Sequence, residues 1–286
     1  MSIFTSAEHA ASPSLLRPAL PPDSRHLLHW NQLHGASPAL LIAATAARYR
    51  GLVLAMVPDS QTAAQLETEL RVFGGPDLHI LSFPDWETLP YDVFSPHQDI
   101  ISQRLAALYR LPQQQRGVLV APVATLMQRL APPDYLDRYA LLLKVGERLD
   151  LEQFRLRLEA AGYVCVSQVV DHGEFAVRGS ILDLFPMGGE RPYRVELFDD
   201  TVESIRDFDP ETQLSVTKAA QIELLPAREF ALDKDTITRF RQSWRRQFEG
   251  DPQRSPIYCE ISAGHAPGGI EYYLPLFFEQ TATLFD

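Results

Sequence analysis

Three short apolar runs, "GLVLAMV" (51–57), "LHILSF" (78–83) and "GVLVAPV" (117–123), are separated by stretches of helical composition. The helical stretches are "DSQTAAQLETELRVFGG" between the first pair and "DIISQRLAALYRL" between the second, with "ALLIAATAARYR" ahead of them and "ATLMQRL" behind. Runs this short and this apolar are buried on both faces, and a strand that returns through a helix lies parallel to its predecessor. The pattern from Pro38 to about Pro132 therefore predicts an α/β layer, a parallel sheet with helices on its faces.

The connection "FPDWETLPYDVFSPHQD" carries three prolines and four aromatics in 17 residues, which rules out regular structure there. Aromatics in such a loop, Trp86, Tyr91 and Phe94, usually pack back on their own domain, with a ligand or partner contact as the minority use.

Beyond Pro132 and Pro133 the texture changes. The runs "CVSQVVD", "GEFAVRG", "SILDLFP", "YRVELFDD" and "VESIRDFD" are strand-length with turn residues between them, and "LEQFRLRLEAAGY" is the one helix among them. They predict a small α+β module built on an antiparallel sheet, from Leu141 to about Leu225. A further helix, "DTITRFRQSWRRQF", then leads to an aromatic-rich stretch ending at Asp286 without a closing element, as expected of a truncated domain.

Of 286 residues, 45 % are hydrophobic and 22 % charged, enough apolar material for two or three globular units. The net charge of -11 argues against a nucleic-acid backbone as main partner, because phosphate binding needs clustered Lys and Arg. Cys165 and Cys259 form no disulfide framework and no metal-ligand spacing, which suits reduced thiols and the cytoplasm. No run reaches membrane-span length: "ALLIAATAARYRGLVLAMV" is broken by Arg48, Arg50 and Gly51. Residues 1–26 lack the basic and apolar regions of a signal peptide and are expected to form a mobile leader.

A nucleotide-binding sheet would carry GxxxxGK(S/T) before its first helix, but the chain has "NQLHGASPALLIAA" there, with one glycine and no lysine. ATP hydrolysis therefore has no visible supplier of phosphate contacts. The eight histidines, His34, His97, His172 and His265 among them, have no ligand spacing and are expected to be solvated. GxSxG and HExxH are absent, and the pair Asp199 and Asp200 fits a turn after "YRVELF". No catalyst, metal or cofactor is indicated.

Arg178 stands at the end of an otherwise apolar strand. Period 2 puts Glu174, Ala176 and Arg178 on one face and Phe175 and Val177 on the other. In the later strands Arg194, Glu196 and Phe198 share a face, as do Val202, Ser204 and Arg206. Arginines with an aromatic on one side of a sheet are how protein interfaces anchor themselves. Cross-strand ion pairs on a solvated sheet give the same pattern, and the pattern alone admits both.

The strings "DWETLPYDVFSPHQDIISQRLAALYRLP", "RGVLVAPVATLMQR", "HGEFAVRGSILDLFPMG" and "APGGIEYYLPLFFE" closely resemble the N-terminal region of bacterial transcription-repair coupling factors, from about Leu27 onward. The resemblance implies a UvrB-like arrangement: a helicase-like α/β domain without a nucleotide site over 27–137, an inserted UvrA-interaction domain over 138–226, and a partial third domain over 227–286. It implies UvrA as partner, with RNA polymerase and DNA engaged by parts of the family protein beyond this chain, where the ATP-driven translocase motor also lies. In the family's resting protein that motor part is implied to mask the UvrA-binding face. The residues carried over as UvrA contacts are Arg178, Arg194 and Phe198, with Glu196 and Arg206 as weaker candidates. Glu196 beside Arg194 is expected either to orient that guanidinium or to blunt it. The alternatives are a UvrB-like DNA-binding component and an ATP-dependent translocase component.

Overall fold

A computed structural model describes residues 14–23 and 25–286. Most of the expected leader, 1–13 and Ser24, lies outside the described residues; within the rest of it, the Pro18 carbonyl accepts a hydrogen bond from Arg48. The chain divides into two units. One comprises the residues up to Ser82 with Gln113–Ala121, the other Phe83–Pro112 with Pro122–Asp286.

The first unit is the expected α/β layer. Helix α1 (Ser37–Arg48) buries Ala39, Ala43 and Ala46, and α2 (Ser60–Gly74) buries Ala63, Leu66 and Leu70. Both stripes follow the three-to-four-residue helical spacing. The Asp59 carboxylate accepts from the Thr62 N–H and starts α2. Three strands, β1 (Leu52–Val57), β2 (Ile80–Ser82) and β3 (Gly117–Pro122), form the sheet with β3 central and parallel to β2. Every residue of β3 is buried, as its unbroken apolar run requires. Gly117 has φ +129°, and a Cβ there would lie 2.3 Å from the His79 carbonyl oxygen, so the entry to β3 accepts only glycine.

In the second unit, α3 (Gln98–Arg110) buries Ile101 and Leu105 in the main core, together with Trp86 from the preceding connection. This helix groups with the second unit rather than with the α/β layer that its place in the alternation suggested. Two short helices follow, α4 (Val123–Leu126) and α5 (Asp134–Tyr139), so "ATLMQRL" is helical only at its start. Strand β4 (Leu141–Lys144) pairs with the distant β11 (Gln221–Leu224) and closes the α+β module at its ends in sequence.

Between them lie α6 (Leu151–Ala160), β5 (Val164–Cys165), β6 (Glu174–Arg178), β7 (Ile181–Leu184), β8 (Tyr193–Phe198), β9 (Thr201–Phe208) and β10 (Ser215–Ala219). The six strands form one sheet in reverse sequence order, antiparallel except where β5 meets β6. Its inner face buries Phe175, Leu182, Leu184, Val195, Leu197, Val202 and Ile205, with Phe154 and Leu158 of α6 in the same core. Burial of each such side chain is worth about 1.5–3 kcal/mol.

A third core joins α7 (Lys234–Gln247), α8 (Pro256–Ser262) and a 3₁₀ segment (Ile270–Phe277) around Phe240, Trp244, Tyr258 and Phe277. Arg104 of α3 is a fully enclosed charge in this unit. Its Nε donates to Glu229 Oε1 at 2.7 Å and one terminal nitrogen to the Pro84 carbonyl at 2.7 Å. The guanidinium carbon sits 4.3 Å and 4.9 Å from the ring centres of Phe83 and Trp86.

Candidate protein interface

The outer face of the six-stranded sheet carries the charged residues singled out from the sequence. The two-residue turn Gly179–Ser180, with Gly179 at φ +63°, sets Arg178 opposite Ile181 and thereby Ala176 opposite Asp183. The next pairings set Asp183 opposite Arg194, Arg194 opposite Arg206, and Arg206 opposite Lys218. One row therefore runs Ala176, Asp183, Arg194, Arg206, Lys218 across five strands. The row beside it runs Arg178, Ile181, Glu196, Ser204.

Asp183 is fully buried, and both sequence-predicted arginines converge on it. Arg194 donates from Nε to Oδ1 at 2.7 Å and from a terminal nitrogen to Oδ2 at 2.9 Å, a two-pronged pairing, while Arg178 donates to Oδ2. The Asp183 hydrogen bonds hold the Arg194 pKa above the usual arginine value against the opposing effect of burial. Arg194 also reaches the Gln213 carbonyl at 3.3 Å, and its guanidinium carbon lies 5.0 Å from the ring centre of Phe208. A lone buried carboxylate costs several kcal/mol, so Asp183 needs these guanidinium groups as much as they need it. The side chain of Arg178 is nonetheless 51 % exposed, and that of Arg194 19 %.

Phe198, at the end of β8, is 70 % exposed, a large apolar ring offered to solvent on the strand that carries Arg194. Glu196 accepts from the Ser204 hydroxyl at 2.6 Å, so the carboxylate that orients Arg194 is Asp183 and not Glu196. Arg206 is half-buried and its Nε has no hydrogen-bond partner among the described residues.

The structure corrects four further expectations. Val202 belongs to the core, because a bulge between Glu196–Ser204 and Leu197–Val202 gives β9 an extra residue, Glu203, and breaks strict alternation. In the connection before α3 only Trp86 packs inward; Tyr91 and Phe94 are 88 % and 72 % exposed. His172 is no solvated loop residue, since Nδ1 lies 2.7 Å from Asp99 Oδ1 and Nε2 donates to the Gly189 carbonyl at 2.8 Å. Asp183 itself was missed: a single carboxylate inside "SILDLFP", three residues beyond a tight turn from an arginine strand, is the signal that would have found it. Asp199, with φ +54°, does sit in the turn after β8.

Among the described residues no cluster of His, Cys, Asp and Glu has metal-holding geometry, and no helix is long and apolar enough to cross a membrane. Residues 141–230 match the family model described as UvrB interaction domain. The transcription-repair-coupling factor of Escherichia coli K12 is 49 % identical over 249 residues, covering 87 % of this chain and 22 % of that protein. The Haemophilus influenzae Rd protein of the same name is 48 % identical over 263 residues, covering 91 % and 23 %. The chain belongs to the transcription-repair coupling factors. It spans about a fifth of the length of these curated relatives. The Myxococcus xanthus coupling factor, 33 % identical over 267 residues, extends the match to a more distant member. In this coupling-factor segment the matched residues 141–230 run from β4 past β11 and include every residue of the charged face.

Proposed function

We propose that this segment of a transcription-repair coupling factor is a docking platform that brings the nucleotide-excision repair protein UvrA to stalled transcription complexes, and that its outer sheet face is the UvrA contact. The observation that carries the reading is the Asp183 hub. Two arginines are locked by one buried carboxylate while Arg178 stays half exposed, so little side-chain freedom is lost when a partner binds. Phe198, farther along β8, supplies the apolar anchor. The segment acts without chemistry of its own: the phosphate loop is missing from the sequence, and the face is built for recognition.

The test is titration of the chain into purified UvrA by calorimetry, wild type beside Arg178→Ala and Arg194→Ala, with circular dichroism as the folding check. Each arginine variant is expected to weaken binding by about 2 kcal/mol, the size of an interface anchor. Unchanged binding by both folded variants would move the contact elsewhere.

A further inference from the structure

The row that crosses the sheet is electrically divided. At its β7–β8 end Asp183 engages Arg194 from the row and Arg178 from the neighbouring row. At its β9–β10 end Arg206 and Lys218 stand directly opposite each other. Among the described residues the ion pairs of this face all belong to Arg178 and Arg194. Of its other carboxylates, Glu196 accepts from the Ser204 hydroxyl and Glu174 from the Val170 and Asp171 N–H groups. Cations placed opposite one another across a ladder repel, and Arg194, Arg206 and Lys218 occupy three consecutive positions of this one. Arg206 bears a further cost, because its Nε is buried and makes no hydrogen bond among the described residues. All this occurs in a chain of net charge -11, so the concentration of positive charge is local to this face.

We propose that Arg206 and Lys218 form a second, uncompensated half of the docking face that takes carboxylate side chains from an acidic segment of the partner protein. The inference rests on the UvrA reading and extends the contact two strands beyond the arginine pair. The two halves do different work. Arg178 and Arg194 arrive already neutralised in part and fixed in place, so they supply directional N–H groups and stacking surface. Arg206 and Lys218 arrive with unmatched charge, so they supply long-range attraction and select for acid. A carboxylate seated between them would relieve their mutual repulsion. A nucleic-acid backbone suits the face less well, because the same two rows hold Asp183 and Glu196 and the molecule as a whole repels phosphate.

The experiment measures UvrA affinity for the whole chain at two ionic strengths, with Lys218→Glu, Lys218→Arg and Arg206→Gln beside wild type, and adds duplex DNA as competitor. Lys218 is exposed, so its replacement leaves the core untouched. Lys218→Glu is expected to weaken binding about tenfold or more at low salt and to flatten the salt dependence, the response of a charge contact. Lys218→Arg should retain wild-type affinity, Arg206→Gln should fall between, and duplex DNA should not compete. Wild-type binding with all three variants unchanged would overturn this inference and leave the UvrA reading standing. Competition by duplex DNA that Lys218→Glu abolishes would overturn it in favour of a nucleic-acid face. Absence of any binding by the folded wild-type chain would overturn both.

Discussion

Arg104 and the pair Arg178/Arg194 use the same chemistry, guanidinium on a buried carboxylate, to opposite ends. Arg104 and Glu229 are 0 % and 3 % exposed, and two aromatic rings close over the charge. Asp183 is equally buried, but its arginines lie on the open side of a sheet with one guanidinium half in water. The difference lies in what covers the cation. Phe83 and Trp86 belong to a proline-broken segment that folds back over α3, whereas the outer sheet face has apolar cover only at one end, where Val166, Val169, Phe185 and Phe208 cluster. A closed arginine ties segments together; an open one is held in readiness.

Arg104→Ala gives the largest expected effect. Removing one partner of a fully enclosed pair should cost about 3–5 kcal/mol in urea unfolding while UvrA affinity per folded molecule stays unchanged. A loss below about 1 kcal/mol would mean the closed site is not a structural tie. Asp183→Ala should cost about 3 kcal/mol, the lower end of that range because both guanidinium groups still reach water, and should also weaken UvrA binding. An effect on stability with none on binding would erase the distinction between the two sites.

Arg178→Ala is expected to reverse the balance, with about 2 kcal/mol lost in binding and less than about 1 kcal/mol in stability, since its partner Asp183 keeps Arg194.

Asp233, which bonds to neither arginine site, offers a control. Burial pushes its carboxyl pKa up, but the Thr236 N–H and hydroxyl and the Tyr139 hydroxyl outweigh that and hold it below the usual value. A depressed carboxylate stabilises the fold above its unfolded pKa of about 3.9, and the contribution is lost as pH falls through the folded value. Asp233→Ala, which uncaps α7, should cost about 1 kcal/mol at neutral pH and shrink that acid-induced loss, read from urea midpoints between neutral pH and pH 3. Phe198→Ser should change stability by no more than about 0.5 kcal/mol while reducing UvrA affinity.

Much of the face is legible in the order of residues alone. Period 2 placed Arg178 with Ala176, and Arg194 with Glu196 and Phe198, because a strand's facing depends only on local alternation. Asp183 escaped because its value lies in register: the Gly179–Ser180 turn decides which residue meets Ala176, and only then does the carboxylate land between two arginine strands. Val202 was misplaced for the complementary reason, a bulge that no composition signal marks. Tyr91 and Phe94 were misplaced because exposure in an irregular loop follows from what lies above it in space, which the order of residues does not encode.

The bulge at Glu203 also sets where β9 can change length. Val202 and Ile205 face the core with two residues between them, so losing one of those two restores plain alternation and leaves every later side chain on its present side. Losing Ile205 instead would put Ser204 at its core position, and losing Arg206 would turn Ile205 outward. Length variation in this strand is therefore tolerable at 203 and 204 and ruinous immediately after, a boundary drawn by geometry in the middle of a continuous ladder.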